Sequence, residues 1–366
     1  MRTHHSFKPS LVILPYFLLL AIGVVEVWSS SYYFAYKNRW GIDYFLNREL
    51  IFVAFSVFLT FLFSFIDYRF LKKVSLGFVV VALLLLVLLH IAGTEVRGAT
   101  RWIDMFGLFM FEPSAVAEVA ILIYVADFIS RKSEYREDLM KGVMPVALVV
   151  GLFVILIAFE PDIGTAALLL FVFSGVIYVF GYKLKHAAGL VFPSFLVFAM
   201  LIYSNPQKLQ RVVNFFITKK INYQVEHALI ALGSGGFLGQ GIAAGRYKSI
   251  FIPDSHNDFI MAGIGEDFGF LGVLTVVVLL GLIVFSIFML AKDCKDRFGS
   301  ALAFGIGLLF ALQAIINLFS VLHLFPPKGI TMPFLSYGGT NLAVDSMLLG
   351  VVLSIYRRCP LDGEEA

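Results

Sequence analysis

Long apolar stretches recur along this chain, and several belong to segments of about twenty residues, the length that a helix needs to cross a bilayer. The stretches 79–91 and 273–290 place apolar residues on every face of a helix. A membrane-spanning barrel would instead need short strands of alternating polarity. Hydrophobic residues make up 60% of the 366 residues and charged residues only 14%, with a mean hydropathy of +0.89. We therefore predict an all-α, polytopic integral membrane protein and exclude a soluble globular domain.

Ten segments are suited to cross the membrane, and they predict a single transmembrane domain over residues 1–366. The predicted spans are 11–30, 47–66, 74–93, 113–130, 142–158, 162–181, 186–203, 259–291, 299–324 and 340–356. No small-residue cleavage site follows the first span, so we interpret it as an anchor and not as a removed signal peptide. Residues 203–258 form a polar loop between the seventh and eighth spans, and functional residues are expected there.

The distribution of Lys and Arg predicts the orientation of the bundle. The segments on the side of both termini carry 16 of the 28 Lys and Arg residues; the other side carries 12, six of them in the long loop, where the positive-inside rule does not apply. Both termini are therefore predicted to be cytoplasmic and the loop 203–258 to be outside. Cys294 and Cys359 then face a reducing compartment, which argues against a disulfide. The net charge of +3 is explained by cytoplasmic Lys and Arg and indicates no nucleic-acid partner.

The polar loop contains two local patterns of its own. Residues 223–232 predict a short amphipathic helix that lies on the membrane surface. The glycines of segment 233–241 match neither the Walker pattern nor a strand-turn-helix context. We therefore predict a flexible bend at this segment and not a nucleotide site.

Polar residues that can carry chemistry gather at the predicted outer ends of the spans. They are Arg101, Glu112, Glu160, Asp162, His256, Asp258, Glu266, Asp267 and the turn Ser336–Thr340. Asp258 is equally well explained as the N-cap of the helix that follows it. Asp162 suits a helix cap in the same way, and His256 suits an interfacial hydrogen-bonding residue.

A second set of polar residues lies at or within the predicted spans. Its members are Glu112, Glu118, Gln313, Asn317 and Asp345. Polar groups inside a membrane normally face a partner or a cavity, so a packing role and a functional role are both open for this set.

Seven short motifs follow one another in an order and spacing that a known family shares. They are Gly98–Ile103, Phe111–Ser114, Glu160–Thr165, Leu238–Gly241, Ile252–Phe259, Gly265–Gly269 and Pro327–Gly339. Together they resemble the SEDS family (shape, elongation, division and sporulation), which includes RodA and FtsW, over residues 11 to 357. The resemblance implies a ten-span protein of the bacterial cytoplasmic (inner) membrane. It also implies polymerisation of peptidoglycan from lipid II at the outer face, beside a class B penicillin-binding protein.

The resemblance assigns a catalytic residue and also shows one departure from the family. The aspartate of the family's His-Thr-Asp-Phe motif, which is thought catalytic, falls on Asp258, with Asn257 in place of the threonine. Where the family usually shows Gln-Pro-Ser-Glu-Leu-Ala-Lys in span four, this chain has Glu118 at the lysine position. We predict that Glu118 faces a polar cavity and pairs with Arg101.

The implied reaction transfers a glycan from an undecaprenyl pyrophosphate carrier to the 4-hydroxyl of lipid II, with inversion at the sugar carbon. Asp258 is expected to act as the general base, and Arg101, Arg211 and Lys328 to contact the pyrophosphate. The predicted substrate-binding residues are Arg101, Glu112, Glu118, Arg211, His256, Lys328, Ser336, Tyr337, Gly338 and Gly339. No tight ligand cluster demands a metal; a divalent cation, Mg²⁺ or Mn²⁺, can nevertheless share the role of the cations.

Two other functions stay open at this stage. A lipid II flippase would use the polar residues within the spans as a headgroup path, and a non-catalytic scaffold would offer its lipid-facing spans to a penicillin-binding protein. The outer position of most motifs and the lack of a visible inverted repeat favour the polymerase over the flippase. The scaffold leaves the carboxylate of Asp258 unexplained. Segments 264–267 and 327–331 resemble FtsW more than RodA, which favours a role in division over elongation.

Overall fold

The structure, a computed structural model of the chain, describes residues 8–96, 99–105, 107, 109–160, 162–183, 199–200, 202–203, 206–218, 221–252 and 255–359. The helices are α1 Ser10–Lys37, α2 Tyr44–Phe65, α3 Tyr68–Ala92, α4 Pro113–Arg131, α5 Met144–Phe159, α6 Ile163–Val179, α7 Pro206–Val213, α8 Tyr223–Ser234, α9 Tyr247–Ile250, α10 Ile260–Asp293, α11 Arg297–Val321 and α12 Gly339–Arg358. The strands are β1 Thr94–Val96, β2 Ala99–Met105 and β3 Phe109–Phe111. Single π-helical turns, Leu139–Val143 and Asn214–Thr218, precede α5 and follow α7.

The predicted all-α membrane architecture is confirmed. Eight of the described helices are long and apolar enough to cross a membrane, namely α1 to α4, α5 with its preceding π turn, and α10 to α12. Helix α6, with 17 residues, is a shorter apolar helix. The predicted span 186–203 lies almost wholly outside the described residues. Sidedness stays a prediction, so we call the end that carries the start of α1 and the end of α12 the cytoplasmic end, and the opposite end the outer end.

The helices differ in how much of their surface the bundle covers. In the most apolar part of α4, 89% of the residues are buried, against 22% in α2. Helix α4 contacts α3, α5, α6, α11 and α12, whereas α2 packs mainly on α12 and α1. Helix α4 therefore lies in the interior of the bundle. The exposed Phe and Leu side chains of α2 lie on the outer surface of the bundle, where lipid would contact them.

A small antiparallel sheet joins α3 to α4 at the outer end, and the sequence analysis did not predict it. Strand β2 pairs with β1 on one side and with β3 on the other. The sheet positions Arg101 in the middle of β2 and leads directly into α4. The strands are too short for an alternating pattern to be recognised between two apolar spans.

The glycine-rich segment 233–241 completes the backbone hydrogen bonding of a broken membrane helix. Helix α10 is interrupted at Gly269, which has φ 65° and ψ −160°. The carbonyl groups of residues 266 and 267 accept N–H groups of residues 240 and 241, and the N–H groups of residues 270 and 271 donate to the carbonyls of residues 236 and 237. A break inside a membrane helix needs such partners, since lipid offers none.

This pairing requires glycine for close approach and corrects the prediction of a flexible bend. A side-chain carbon placed on Gly239 would lie 2.0 Å from the carbonyl oxygen of Asp267, so only glycine fits there. The segment is a bend, but its backbone is fixed to α10 by four hydrogen bonds.

The helix predicted within the polar loop is present as α8, over Tyr223–Ser234. Its position differs from the prediction, because the face formed by Val225, Ala228 and Ala231 is buried and packs against α10. The small side chains on this face allow α8 to lie close to α10, so this face of the helix packs on the bundle.

The two cysteines form a disulfide, so the prediction that neither is paired is wrong. Cys294 follows the last residue of α10, and Cys359 follows the last residue of α12. Their Cα atoms are 5.8 Å apart, within the range that a disulfide requires. The prediction considered only the compartment, and it could not foresee that two helix ends 65 residues apart meet at the cytoplasmic end.

Candidate active site

Four separate segments bring charged side chains together at the outer end, and we call this group the outer site. It consists of Arg101, Glu112, Glu160, Asp162, Asp258 and Lys328. A side-chain carbon placed on the exposed Gly329 would lie 3.1 Å from Asp258 Oδ2 and 3.4 Å from Arg101 Nη1. One placed on Gly164 would lie 3.4 Å from Asp162 Oδ1 and 3.5 Å from Cδ of Lys328. The two glycines thus lie beside two carboxylates, Asp258 and Asp162, and two cationic residues, Arg101 and Lys328.

The backbone around Asp258 is held by side chains from two other parts of the chain. Asn317, in α11, donates from Nδ2 to the carbonyl oxygens of Asp258 at 3.1 Å and of Ile330 at 2.8 Å. Ser336 donates to the carbonyl oxygen of Asn257 at 2.8 Å. The segment before α10 and the loop before α12 are therefore fixed to each other, which holds the carboxylate of Asp258 in a defined position.

The structure also separates Asp258 from the helix cap that was its alternative interpretation. Helix α10 begins at Ile260, and its N-cap residue is Phe259. Asp258 precedes the cap and is half-buried. The N-cap explanation of this residue is therefore not supported.

Arg101 reaches across the outer site to Asp162. Their closest atoms, Arg101 Nη2 and Asp162 Oδ1, are 3.5 Å apart, and the Arg101 side chain is 19% exposed. Asp162 also caps α6, because its carboxylate accepts the backbone N–H of Thr165 at 3.2 Å and its hydroxyl at 2.8 Å. The predicted cap role of Asp162 is confirmed, and the same carboxylate orients the guanidinium group.

Two further carboxyl groups of the outer site hold their protons more tightly than usual. Burial, reinforced by the negative charges of Asp162 and Glu112, raises the pKa of Glu160 to about 9. Neither carboxyl oxygen of Glu160 has a hydrogen-bond partner among the described residues. Burial also raises the pKa of Glu112, and Asp162 adds to the effect, while Arg101 and a hydrogen bond from Asn341 at 3.0 Å oppose it. Glu160 is thus uncharged at neutral pH.

Glu118 lies below the outer site, and its predicted pairing with Arg101 is wrong. Its Oε2 accepts a long hydrogen bond from Gln313 Nε2 at 3.4 Å. Glu118 lies well inside α4, whereas Arg101, on the sheet, contacts Asp162 above it. Glu118 and Asp345 line a cavity of about 20 Å³, which is enough for a water molecule. The prediction that Glu118 faces a polar cavity is thus consistent with the structure.

The other predicted substrate-binding residues lie in two places. Arg211 is exposed and lines a separate outer cavity with Tyr223, His323 and Pro327. Pro327 connects this cavity along the chain to Lys328 of the outer site. The cavity is about 630 Å³ in volume.

His256 and the turn 336–339 have packing contacts around the outer site. The His256 ring lies 4.8 Å from Phe45 and 5.4 Å from Tyr337, measured between ring centroids. Burial raises the pKa of Tyr337 to about 12, although Arg48 partly opposes the shift. A side-chain carbon on Gly339 would lie 2.8 Å from the Phe52 ring, and Gly338 is the N-cap of α12.

A second charged group lies inside the bundle near the same end, and the sequence analysis did not bring its members together. We call Glu26, Ser29, Lys248 and Asp267 the buried lysine cluster. Lys248 Nζ donates to Glu26 Oε1 at 3.1 Å and to Ser29 Oγ at 2.7 Å, and it forms an ion pair with Asp267. The Glu266 carboxylate accepts the N–H groups of residues 247 and 248 at 2.9 Å each. The sequence analysis did not consider Glu26, although an acidic residue inside an apolar span is the signal that could have indicated a buried partner.

Among the described residues, no group of three or more His, Cys, Asp or Glu side chains is arranged to hold a metal ion. The carboxylates of the outer site are instead distributed around Arg101 and Lys328.

Comparisons with known proteins agree over almost the whole chain. The sequence profile of the FtsW, RodA and SpoVE family, described as cell cycle protein, matches residues 9–359. The probable peptidoglycan glycosyltransferase FtsW of Trichlorobacter lovleyi is 34% identical over 359 residues, which cover 95% of this chain and 93% of that protein.

Two solved structures share the fold. A chain from a peptidoglycan synthase complex, solved to explain how polymerization and crosslinking are coordinated, matches with a TM-score of 0.78 and 25% identity, covering 96% of this chain and 98% of that chain. The rod shape determining protein RodA of Thermus thermophilus matches with a TM-score of 0.71 and 24% identity, covering 98% of this chain and 99% of that chain.

Proposed function

This chain belongs to the FtsW, RodA and SpoVE family of cell cycle proteins, and on that basis we propose that it is a peptidoglycan glycosyltransferase that extends glycan strands from lipid II. It is a multi-pass protein of the bacterial inner membrane. The relatives named FtsW indicate a role in cell division.

One observation carries the chemical proposal, namely that Asp258 and Arg101 face the same space beside Gly329. A hydroxyl group that attacks a sugar carbon must lose its proton, and a positioned carboxylate that accepts it contributes about 10² to 10⁴ in rate. Asp258 is the carboxylate at this position. The proton of the acceptor 4-hydroxyl passes to Asp258, the new bond forms between that oxygen and the donor sugar carbon, and the bond to the pyrophosphate breaks.

The cations of the outer site suit the leaving group. The electron pair of the broken bond leaves with the pyrophosphate, so positive charge is needed where that anion forms. Arg101 can offer two parallel N–H donors and Lys328 a point charge. The raised pKa values of Glu112 and Glu160 reduce the negative charge that the pyrophosphate would otherwise meet.

The outer cavity beside Arg211 is suited to the glycan part of a substrate. Aromatic, amide and imidazole groups line it, including Phe215, Tyr223 and His323. Sugar rings pack on aromatic faces and exchange hydrogen bonds with amides, so this cavity offers both kinds of contact. Its volume of about 630 Å³ lies in the range of small-molecule sites.

The partner we propose is a class B penicillin-binding protein. The matching synthase complex coordinates polymerization and crosslinking. A crosslinking enzyme bound alongside would complete the pair of reactions.

Transport of lipid II without chemistry is less well supported by the geometry. A headgroup path would have to pass the polar groups around Glu118 and Asp345. The cavity between them is about 20 Å³, which admits water and not a sugar.

The deciding experiment replaces the proposed base and keeps its shape. Asp258→Asn, purified and supplied with lipid II and a penicillin-binding partner that lacks polymerising activity of its own, should fold and bind the partner but make no glycan polymer. The matched control is Asp104→Asn, because Asp104 is exposed on β2 at the same end and its Oδ1 accepts the Gly107 N–H at 2.8 Å, which asparagine can also do. The control should polymerise at the wild-type rate. Polymerisation by Asp258→Asn at that rate would assign the base elsewhere.

A further inference from the structure

A large cavity opens at the cytoplasmic end, far from the outer site. It is about 810 Å³ in volume and lies between the start of α3, the end of α4 and the start of α11. Its charged lining consists of Arg69, Lys72, Lys73, Arg131, Asp127 and Asp296. Four cations against two carboxylates leave the lining with a net positive charge.

Both carboxylates of this cavity are already engaged by the protein. Asp127 accepts two hydrogen bonds from Arg131, at 2.9 and 2.8 Å, and one from Ser75 at 2.8 Å. Asp296 accepts the Tyr68 hydroxyl at 3.0 Å and caps α11 at Gly299. Their capacity to neutralise further cations is therefore reduced.

The lysines of α3 differ from Arg131, which forms an ion pair with Asp127. Among the described residues, neither Lys72 nor Lys73 has a carboxylate within ion-pair distance. Lys72 is half-buried and Lys73 exposed at the rim. Two adjacent ammonium groups at a cavity mouth are suited to an anion with several oxygen atoms.

An apolar surface continues from the cavity toward the membrane centre. Leu76 lines the cavity and is 66% exposed, and Val80 and Leu84, one and two turns further along α3, are 50% and 63% exposed. Residues at this spacing lie above one another on a helix. A ligand that carries both a phosphate and an acyl chain would contact the lysines and this stripe together, whereas soluble phosphate would use only the lysines.

We propose that this cavity binds the headgroup of an anionic phospholipid of the inner leaflet, with Lys72 and Lys73 on the phosphate and an acyl chain along Leu76, Val80 and Leu84. The site joins three helices, one of which, α3, leads into the sheet that carries Arg101. Because such a lipid binds the folded protein and not the unfolded chain, it raises the free energy of unfolding in proportion to the logarithm of its concentration.

The test compares lipids that differ only in charge. Full-length protein in a neutral detergent is titrated with phosphatidylglycerol or with phosphatidylcholine of the same acyl chains. Bound lipid is counted by native mass spectrometry, and the midpoint of thermal unfolding is followed in parallel. Wild type should retain phosphatidylglycerol and be stabilised by it, with little effect of phosphatidylcholine.

The variant Lys72→Gln/Lys73→Gln should bind phosphatidylglycerol about 25-fold more weakly, the effect of removing two cations that act near an anionic headgroup. The control Lys141→Gln/Lys292→Gln removes the same charge from exposed residues at the same end that do not line the cavity, and it should bind as wild type does. If the double variant does not fold, Lys73→Gln alone, at the exposed rim, should lose about fivefold.

Three outcomes would overturn the proposal. Equal loss in both double variants would mean general surface attraction, and equal retention of phosphatidylcholine would mean a site without charge preference. Stabilisation by millimolar inorganic phosphate to the same extent as by phosphatidylglycerol would identify a soluble anion as the ligand.

Discussion

The outer site and the buried lysine cluster both combine cations with carboxylates near the same end of the molecule, but they differ in access. Lys248, Glu26 and Asp267 are fully buried, and the three donors of the Lys248 ammonium group meet three acceptors. In the outer site, Asp258 is half-buried, and Gly329 beside it is exposed. A substrate can therefore reach the outer site and not the cluster. We therefore expect the cluster to hold the fold and the outer site to carry the proposed chemistry.

The largest effect is expected from Lys248→Met, which tests the structural half of this comparison. The substitution leaves Glu26 and Asp267 buried without their cation, and breaking a buried pair in this way costs about 3–5 kcal/mol. The midpoint of thermal unfolding in detergent should fall sharply. Neutralising both carboxylates as well, with Glu26→Gln and Asp267→Asn, should restore part of the loss. Wild-type stability in Lys248→Met would show that the cluster does not hold the fold.

Arg101→Gln tests the catalytic half and should change activity far more than stability. Removing a donor that meets developing charge costs about 10² to 10³ in kcat, whereas a partly exposed ion pair contributes about 1 kcal/mol or less. Arg211→Gln, in the separate outer cavity, should raise KM and leave kcat nearly unchanged. Steady-state polymerisation at several lipid II concentrations separates the two. Equal loss of kcat in both variants would mean that Arg211 also meets the reacting atoms.

Glu160→Gln, in the outer site, should stabilise the protein, whereas Lys248→Met, in the buried lysine cluster, should destabilise it. The pKa of Glu160 is raised from 4.5 to about 9, so its contribution to stability is fully present below pH 4.5 and is lost as the pH rises toward 9. Glutamine imitates the protonated form at every pH. The variant should therefore gain about 3–5 kcal/mol at pH 8 and less than about 1 kcal/mol at pH 5. Unfolding midpoints at the two pH values measure this, and an equal change at both would exclude titration of Glu160 as the cause.

Much of the fold follows from local pattern, because a bilayer imposes the same length and polarity on every helix that crosses it. The described spans therefore lie close to the predicted ones. The small sheet, the pairing of segment 233–241 with the break at Gly269, and the disulfide depend on contacts between distant segments. Nothing in the local sequence near Gly269 indicates which segment completes its hydrogen bonds.

The outer site and the buried lysine cluster also differ in how much of each the sequence predicts. Residues of the outer site were assembled because their motifs share one predicted side of the membrane and together resemble a family. The buried lysine cluster joins Glu26 to Lys248 across 222 positions, and a lone Lys in a polar loop looks like a solvent-exposed residue until the tertiary structure is known. For Arg101, the sequence analysis chose Glu118 as the partner by charge, whereas Asp162 lies nearer to it.

Glu118→Gln should have the smallest effect. It tests whether Glu118 has a structural role like the buried lysine cluster or a catalytic role like the outer site. Pairing with Arg101 would have made the substitution costly, because a cation would be left without its partner. In the structure Glu118 contacts Gln313 at 3.4 Å, and a glutamine at position 118 can keep that hydrogen bond through its amide oxygen. The change in unfolding free energy should therefore stay below about 1 kcal/mol, and polymerisation should stay within a few fold of wild type. A loss of activity as large as that of Arg101→Gln, with stability unchanged, would instead place Glu118 in the catalytic machinery, and Gln313→Leu should then reproduce it.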